Sequence, residues 1–107
     1  MVKEMAKTIV CKLEDLADGT ARRVMVGQRP IAVIRCGDEV YACLDACPHK
    51  GGFLSEGQVS TKRKEIICPW HRFRFHLESG ASVTNPELMV PFFAARVEDG
   101  QIVVEIS

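Results

Sequence analysis

Two short segments, Cys47-Pro48-His49 and Cys68-Pro69-Trp70-His71, are the most informative part of this 107-residue chain. Each carries one thiol and one imidazole, and residues 50–67 separate the two segments. A site that holds two irons with two thiolates and two imidazoles needs donors from two loops, one of each kind on each loop. The spacing therefore predicts a [2Fe–2S] cluster whose ligands are Cys47, His49, Cys68 and His71.

Zinc is the main alternative occupant, because two Cys and two His also make a tetrahedral zinc site. Common zinc motifs keep Cys with Cys and His with His, with two or more residues between ligands. Here both segments are mixed, and only Pro48 separates Cys47 from His49. The spacing favours iron over zinc. A third interpretation, buried structural cysteines beside surface histidines, is disfavoured because Cys-Pro occurs twice next to a histidine.

The two segments and their surroundings resemble those of the Rieske ferredoxins. Residues 47–52, Cys-Pro-His-Lys-Gly-Gly, are similar to the first cluster loop of that family. Its second loop and hairpin are matched by residues 66–71 followed by Phe73, Phe75, Glu78 and Gly80. The resemblance covers the chain from about residue 6 to the end. It implies one Rieske-type cluster per chain, with Cys47 and Cys68 on the inner iron and His49 and His71 on the outer, more exposed iron.

Short apolar or alternating runs between turn residues predict an all-β protein. Hairpin turns are expected at Gly37-Asp38, Ser79-Gly80 and Asp99-Gly100. Alternation in the last run predicts that Ile102 is buried and that Val103 lies on a wetter face. The predicted strands cover residues 8–12, 23–26, 31–35, 40–44, 65–68, 73–77, 92–98 and 101–106.

The length is that of one small domain. By the resemblance, residues 1–107 form a single Rieske domain: a basal antiparallel β-sandwich or barrel with a cluster-binding subdomain inserted at about residues 45–77. In that subdomain Phe73 and Phe75 are expected to pack beneath the cluster. Arg72 and Arg74 are expected to face water or a partner and, with Lys50 and residues 62–64, to form a positive rim.

The other cysteines are Cys11, Cys36 and Cys43, on or beside predicted strands. We interpret them as reduced structural thiols, as expected in a reducing compartment. Residues 1–7 carry charge but no apolar run long enough for a secretory signal or a membrane anchor. The sequence therefore predicts a cytoplasmic protein without a membrane partner.

The charge balance argues against nucleic acid as a partner, since 14 basic and 14 acidic residues leave a net charge of zero. A protein partner is expected instead. Catalysis by the chain itself is disfavoured. The chain has three histidines, and two of them are predicted cluster ligands. Only His76 remains, but the mononuclear iron site of an oxygenase needs two histidines and a carboxylate. The chain also contains no Gly-x-Gly-x-x-Gly nucleotide fingerprint.

The resemblance implies an electron carrier rather than an enzyme, similar to the ferredoxin component of multicomponent ring-hydroxylating oxygenases. Such a carrier takes electrons from a flavin-dependent reductase and passes them to a terminal oxygenase. The alternative is the small Rieske-type subunit of a larger reductase such as nitrite reductase. High-potential Rieske proteins carry Ser and Tyr where this chain has Phe73 and Phe75. The resemblance thus implies a low-potential centre, towards the lower end of about −150 to +300 mV.

Overall fold

The computed structural model describes residues 6–47, 52–69 and 72–106. These residues form two single-turn 3-10 helices, Leu13–Asp15 and Leu54–Glu56, and nine strands. The strands are β1 (Ala6–Lys12), β2 (Ala21–Val26), β3 (Arg29–Cys36), β4 (Glu39–Leu44), β5 (Gln58–Ser60), β6 (Glu65–Ile67), β7 (Arg74–His76), β8 (Phe92–Glu98) and β9 (Gln101–Ile106). The prediction of an all-β fold is confirmed, and only β5 was missed, because its short sequence Gln-Val-Ser carries no pattern of its own.

The larger sheet is antiparallel, with the strand order β1-β9-β8-β4-β3-β2. Its two end strands, β1 and β2, approach each other, so the sheet is a nearly closed barrel. The expected turns at Gly37-Asp38 and Asp99-Gly100 join β3 to β4 and β8 to β9. We name this unit the barrel.

The smaller sheet has the order β5-β6-β7 and lies in the chain between β4 and β8. After β7 the chain reverses at the expected Ser79-Gly80 turn, where the Gly80 N–H donates to the His76 carbonyl at 2.8 Å. Gly80 has a φ of +82°, and a Cβ there would lie 2.4 Å from the Val90 carbonyl oxygen. Glycine is therefore required both for the turn and for the close approach of residue 90.

Strand β3 is buried on both faces, which explains the unbroken apolar run from Ile31 to Ile34. Ile31 and Val33 point into the barrel, whereas Ala32 and Ile34 point out of it, towards the smaller sheet. The barrel core contains Leu16, Ile31, Val33, Val40, Ala42, Ile102, Val104 and Ile106. A second cluster, which we name the outer core, contains Ala32, Ile34, Cys36, Cys43, Cys47, Leu54, Ile66, Cys68, Phe75, Leu77 and Val90.

The expectation for Val103 was wrong. Ile102 is fully buried as predicted, but Val103 is also buried, with 3% of its surface exposed. Val103 lies between Ile9 of β1 and Arg96 of β8, its cross-strand partners. Side chains on the outside of a sheet cover one another, so strand alternation overestimates the exposure of a central residue.

Arg35 fastens the 3-10 helix at residues 13–15 to the barrel. Its guanidinium donates to the carbonyl oxygens of Leu13 at 3.1 Å, Leu16 at 2.8 Å and Gly37 at 2.7 Å. The Leu13 carbonyl also accepts from the Leu16 N–H at 3.1 Å, whereas the Leu16 carbonyl lies beyond the helix end, where a side-chain donor contributes to stability.

We expect Arg35→Met to lower the free energy of unfolding by about 1–3 kcal/mol, because the carbonyls of Leu16 and Gly37 lose the guanidinium donor and that of Leu13 keeps only the Leu16 N–H. Urea denaturation of the apoprotein measures this change. Arg22→Met is the matched control, since Arg22 is exposed and, within the described part of the chain, donates to a single carbonyl, that of Asp15. Equal losses for the two variants would contradict this role of Arg35.

Candidate metal centre

Two of the four predicted ligands, Cys47 and Cys68, follow the ends of strands. Cys47 comes three residues after β4, and Cys68 comes directly after β6. Both are buried, with 3% and 0% of their surface exposed, and both belong to the outer core. The fold therefore brings together two cysteines that are distant in sequence. The other two predicted ligands, His49 and His71, lie outside the described residues.

A short hydrogen bond brings the ends of each cysteine-bearing loop together. The Cys47 N–H donates to the Gly52 carbonyl at 2.7 Å, and the Cys68 N–H donates to the Phe73 carbonyl at 2.7 Å. These bonds join residues on opposite sides of the two segments that carry the histidines. Each of the two buried cysteines is thus tied to a residue five positions later in the sequence.

A second set of hydrogen bonds, between Asp45 and Ser55, joins the residues that flank the first loop. The buried Asp45 carboxylate accepts hydrogen bonds from the Ser55 N–H at 2.7 Å and the Ser55 hydroxyl at 2.6 Å. No sequence pattern predicted this pair. Its only signal was an isolated acidic residue directly after an apolar strand.

The second loop contacts the first at Gly57, which follows the 3-10 helix at residues 54–56. A Cβ at this glycine would lie 2.0 Å from the Ile67 carbonyl oxygen and 3.2 Å from that of Leu54. No side chain fits this contact. Because Ile67 immediately precedes Cys68, the contact sets how closely the two cysteine-bearing loops approach.

The phenylalanines of the second hairpin lie at the outer core, which also contains Cys47 and Cys68. Phe75 is fully buried in the outer core, and Phe73 is half-buried against it. The arginines differ from each other. Arg72 is exposed, with a φ of +55°, whereas Arg74 lies 3.5 Å from the carboxylate of the buried Glu65.

The predicted positive rim is therefore only partly correct. The Arg74 charge faces Glu65 instead of a free surface. Lys64 contacts Glu39 at 2.9 Å and Glu78 at 3.6 Å, so its charge is balanced too. Lys50 lies outside the described residues. A sequence pattern could not reveal these partners, because Glu39 and Lys64 are 25 residues apart.

The three remaining cysteines are thiols, and none of the five cysteines forms a disulfide. Cys36 and Cys43 are buried as expected, whereas Cys11 is only half-buried. Burial, with a smaller effect of Asp45, raises the pKa of Cys43 to about 12. Cys43 is therefore a neutral thiol at physiological pH and a poor nucleophile.

The described thiols suit a cluster of mixed ligation. Both lie in an apolar core that excludes water, and each is followed within three residues by a histidine in the sequence. Two such thiols and two imidazoles form the donor set of a Rieske centre.

The family comparison agrees with this donor set. The Rieske [2Fe-2S] domain family matches residues 6–103, and the chain belongs to this family. Its cofactor is accordingly a Rieske-type [2Fe–2S] cluster. Among residues 6–47, 52–69 and 72–106 there is no helix with the length and apolar character needed to cross a bilayer.

Two relatives have named functions in dioxygenase systems. Ferredoxin CarAc of Metapseudomonas resinovorans is 39% identical over 98 residues, which cover 89% of each chain. The anthranilate 1,2-dioxygenase ferredoxin subunit of Burkholderia cepacia is 40% identical over 94 residues, covering 84% of this chain and 82% of the relative. As ferredoxin components, these relatives are electron carriers rather than catalysts.

Solved structures share the fold. The ferredoxin of carbazole 1,9a-dioxygenase from Nocardioides aromaticivorans is 29% identical with a TM-score of 0.88, covering 94% of this chain and 98% of that one. A ferredoxin in complex with the oxygenase of carbazole 1,9a-dioxygenase is 36% identical with a TM-score of 0.81, covering 91% and 99%. A Mycobacterium tuberculosis protein described as a candidate small subunit of NADH-dependent nitrite reductase is 26% identical with a TM-score of 0.90, covering 98% of both chains.

We expect Gly57→Ala to reduce the amount of cluster bound per chain at least several-fold. The added methyl group overlaps the Ile67 carbonyl, so the two cysteine-bearing loops must separate. Iron and sulfide analysis of the purified variant, with its visible absorbance, measures the loss.

Gly37→Ala is the control for this variant. Its φ of +63° makes alanine unfavourable by about 1 kcal/mol, but beyond its two chain neighbours no described residue has an atom within 4 Å of the added carbon. Normal cluster content in Gly57→Ala would show that the close approach at Ile67 is not required for the site.

Proposed function

We propose that this chain is a soluble one-electron carrier whose Rieske cluster is bound by Cys47, His49, Cys68 and His71. The observation that carries the proposal is the burial of Cys47 and Cys68 in one core, each followed within three residues by a histidine in the sequence. The two ferredoxin relatives, similar over more than four-fifths of their length, support it. The donor is a flavin-dependent reductase, and the acceptor is a terminal oxygenase or a related oxidoreductase.

The cluster supplies a centre that gains and loses one electron at a higher potential than an all-cysteine cluster, because two of its ligands are neutral imidazoles. The protein contributes the apolar surroundings. Leu54, Ile66 and Phe75 are fully buried around the two thiols and keep water from the sulfur side of the site. A low local dielectric strengthens the effect of nearby charges and hydrogen bonds on the potential.

We further propose that residues 1–107 form a single Rieske domain in the cytoplasm, with residues 45–77 as the cluster-binding subdomain. The smaller sheet, which lies wholly between residues 58 and 76, supports these bounds. The outer core joins this segment to the outside of β3.

The competing function is that of a small subunit in a larger reductase. The similarity to the Mycobacterium tuberculosis protein favours it, since that match covers 98% of both chains. The two higher identities, to ferredoxins of dioxygenase systems, favour the carrier. Co-purification separates the two functions, because a subunit remains bound to a large flavin or haem enzyme whereas a carrier is isolated alone.

Anaerobically prepared protein is expected to contain iron and inorganic sulfide in equal amounts. After reduction by dithionite, its electron paramagnetic resonance spectrum should have an average g value below that of an all-thiolate cluster. Reduced protein mixed with a ring-hydroxylating oxygenase should be reoxidised as the oxygenase is reduced. One tightly bound zinc per chain, with no iron, would contradict the proposal.

The midpoint potential is expected near the lower end of the Rieske range, about −150 to +300 mV. Phe75→Tyr should raise it, because Phe75 stands where high-potential relatives carry a hydroxyl donor. One hydrogen bond of about 0.5–1.5 kcal/mol to the reduced state corresponds to about 20–60 mV.

The control for Phe75→Tyr is Phe93→Tyr, since Phe93 packs against the barrel core instead of the outer core. Its potential should stay at the wild-type value. A strongly positive potential in the unmodified protein would refute the assignment to the low-potential group.

A further inference from the structure

The residue that precedes the first cluster loop, Asp45, is an acid buried in an apolar region. Only 1% of its surface is exposed, and its charge acts on Cys43, a residue of the outer core. Its Oδ1 accepts from the Ser55 N–H at 2.7 Å, and its Oδ2 accepts from the Ser55 hydroxyl at 2.6 Å. A carboxylate that is removed from water is costly unless it is paired and hydrogen-bonded, so a fixed charge at this position requires these contacts.

A cation accompanies this carboxylate, but on the solvent side. The Arg23 Nε lies 3.7 Å from Asp45 Oδ2, and the Arg23 guanidinium stacks 4.4 Å from the centre of the Phe53 ring. The Arg23 side chain is 39% exposed, whereas that of Asp45 is fully buried. Water and salt screen the arginine more than the carboxylate, so the pair leaves a net negative field towards the protein interior.

The predicted ligand Cys47 lies within this field. Only Ala46 separates it from Asp45, and two residues of extended chain span about 7 Å at most. Cys43, two residues before Asp45 and also in the outer core, responds to the same charge. The Asp45 carboxylate adds to the effect of burial in raising the pKa of the Cys43 thiol.

We propose that Asp45 is a positioning and charge-setting residue for electron transfer: it holds the first cluster loop through Ser55, and its charge lowers the midpoint potential of the cluster. This inference rests on the proposed function in taking Cys47 as a ligand. Adding an electron beside a fixed negative charge is unfavourable, so the carboxylate favours the oxidised state. Arg23 opposes this effect weakly, because it is half in water.

The first test is the midpoint potential of Asp45→Asn, measured by redox titration of the loaded protein. The substitution keeps the shape and one acceptor for Ser55 but removes the charge. We expect the equilibrium constant for reduction to rise about tenfold, which is about 59 mV for one electron.

Ser55→Ala is the matched control, because it removes the hydroxyl donor and keeps the carboxylate. It should lower the stability of the loop, seen as faster loss of the cluster on exposure to a chelator, with a much smaller change in potential. If Ser55→Ala shifts the potential as far as Asp45→Asn, the hydrogen bonds and not the charge are responsible, and the proposal is overturned.

Arg23→Gln provides an independent test in case Asp45→Asn does not retain the cluster. Removing the cation should lower the midpoint potential, whereas Asp45→Asn raises it. The equilibrium constant for reduction should fall by less than tenfold. Its control is Arg22→Gln, since Arg22 is the neighbouring exposed arginine and bonds to the Asp15 carbonyl instead. An unchanged or raised potential in Arg23→Gln would overturn the proposal.

These measurements need no redox partner, so they are separate from the test of the proposed function. A protein that binds the cluster and shows the expected shifts, but does not reduce an oxygenase, would refute the carrier role and leave the role of Asp45 intact. If the loaded protein reduces an oxygenase but Asp45→Asn leaves the midpoint potential unchanged, the role of Asp45 is refuted and the carrier role stands.

Discussion

The burial of β3 on both faces is the constraint on which the rest of the molecule depends. Its inward residues complete the barrel core, and its outward residues, with Cys43 of β4, form the floor of the outer core. The smaller sheet packs on that floor through Ile66 and Phe75. Because Cys47 and Cys68 both belong to the outer core, the packing that attaches the smaller sheet also brings together the two cysteines proposed as ligands.

This arrangement links folding to cofactor binding. The strands of the smaller sheet are three residues long, and an isolated sheet of that size is at best marginally stable. Its stability comes from packing on the barrel and from the contact between Gly57 and Ile67, and the cluster would add to it if bound by the proposed ligands on both loops. A chain of 107 residues has little core to spare, so the cofactor is part of the structure as well as of the chemistry.

Two buried acidic residues, Asp45 and Glu65, are each paired with an arginine that lies nearer the solvent. Each faces a partly exposed arginine, Arg23 at 3.7 Å and Arg74 at 3.5 Å, and each belongs to the segment that carries the cysteines. A chain with no net charge thus keeps two negative charges inside and their counter-charges near water. Such an arrangement favours the oxidised form of a nearby cluster, in agreement with the low potential expected from Phe73 and Phe75.

The amino-acid sequence was sufficient to identify the cofactor, the family and most strands. A cluster that needs two thiolates and two imidazoles requires short, recognisable ligand spacings in the sequence. Hairpin turns such as Gly37-Asp38 depend on the backbone preferences of the turn residues themselves. Local patterns could not predict β5, the burial of Val103, the Asp45–Ser55 hydrogen bonds or the ion pairs of Lys64 and Arg74. Those features depend on which distant residues meet when the smaller sheet packs on β3. Only tertiary structure determines such contacts, because burial and charge pairing depend on neighbours in space and not on neighbours along the chain.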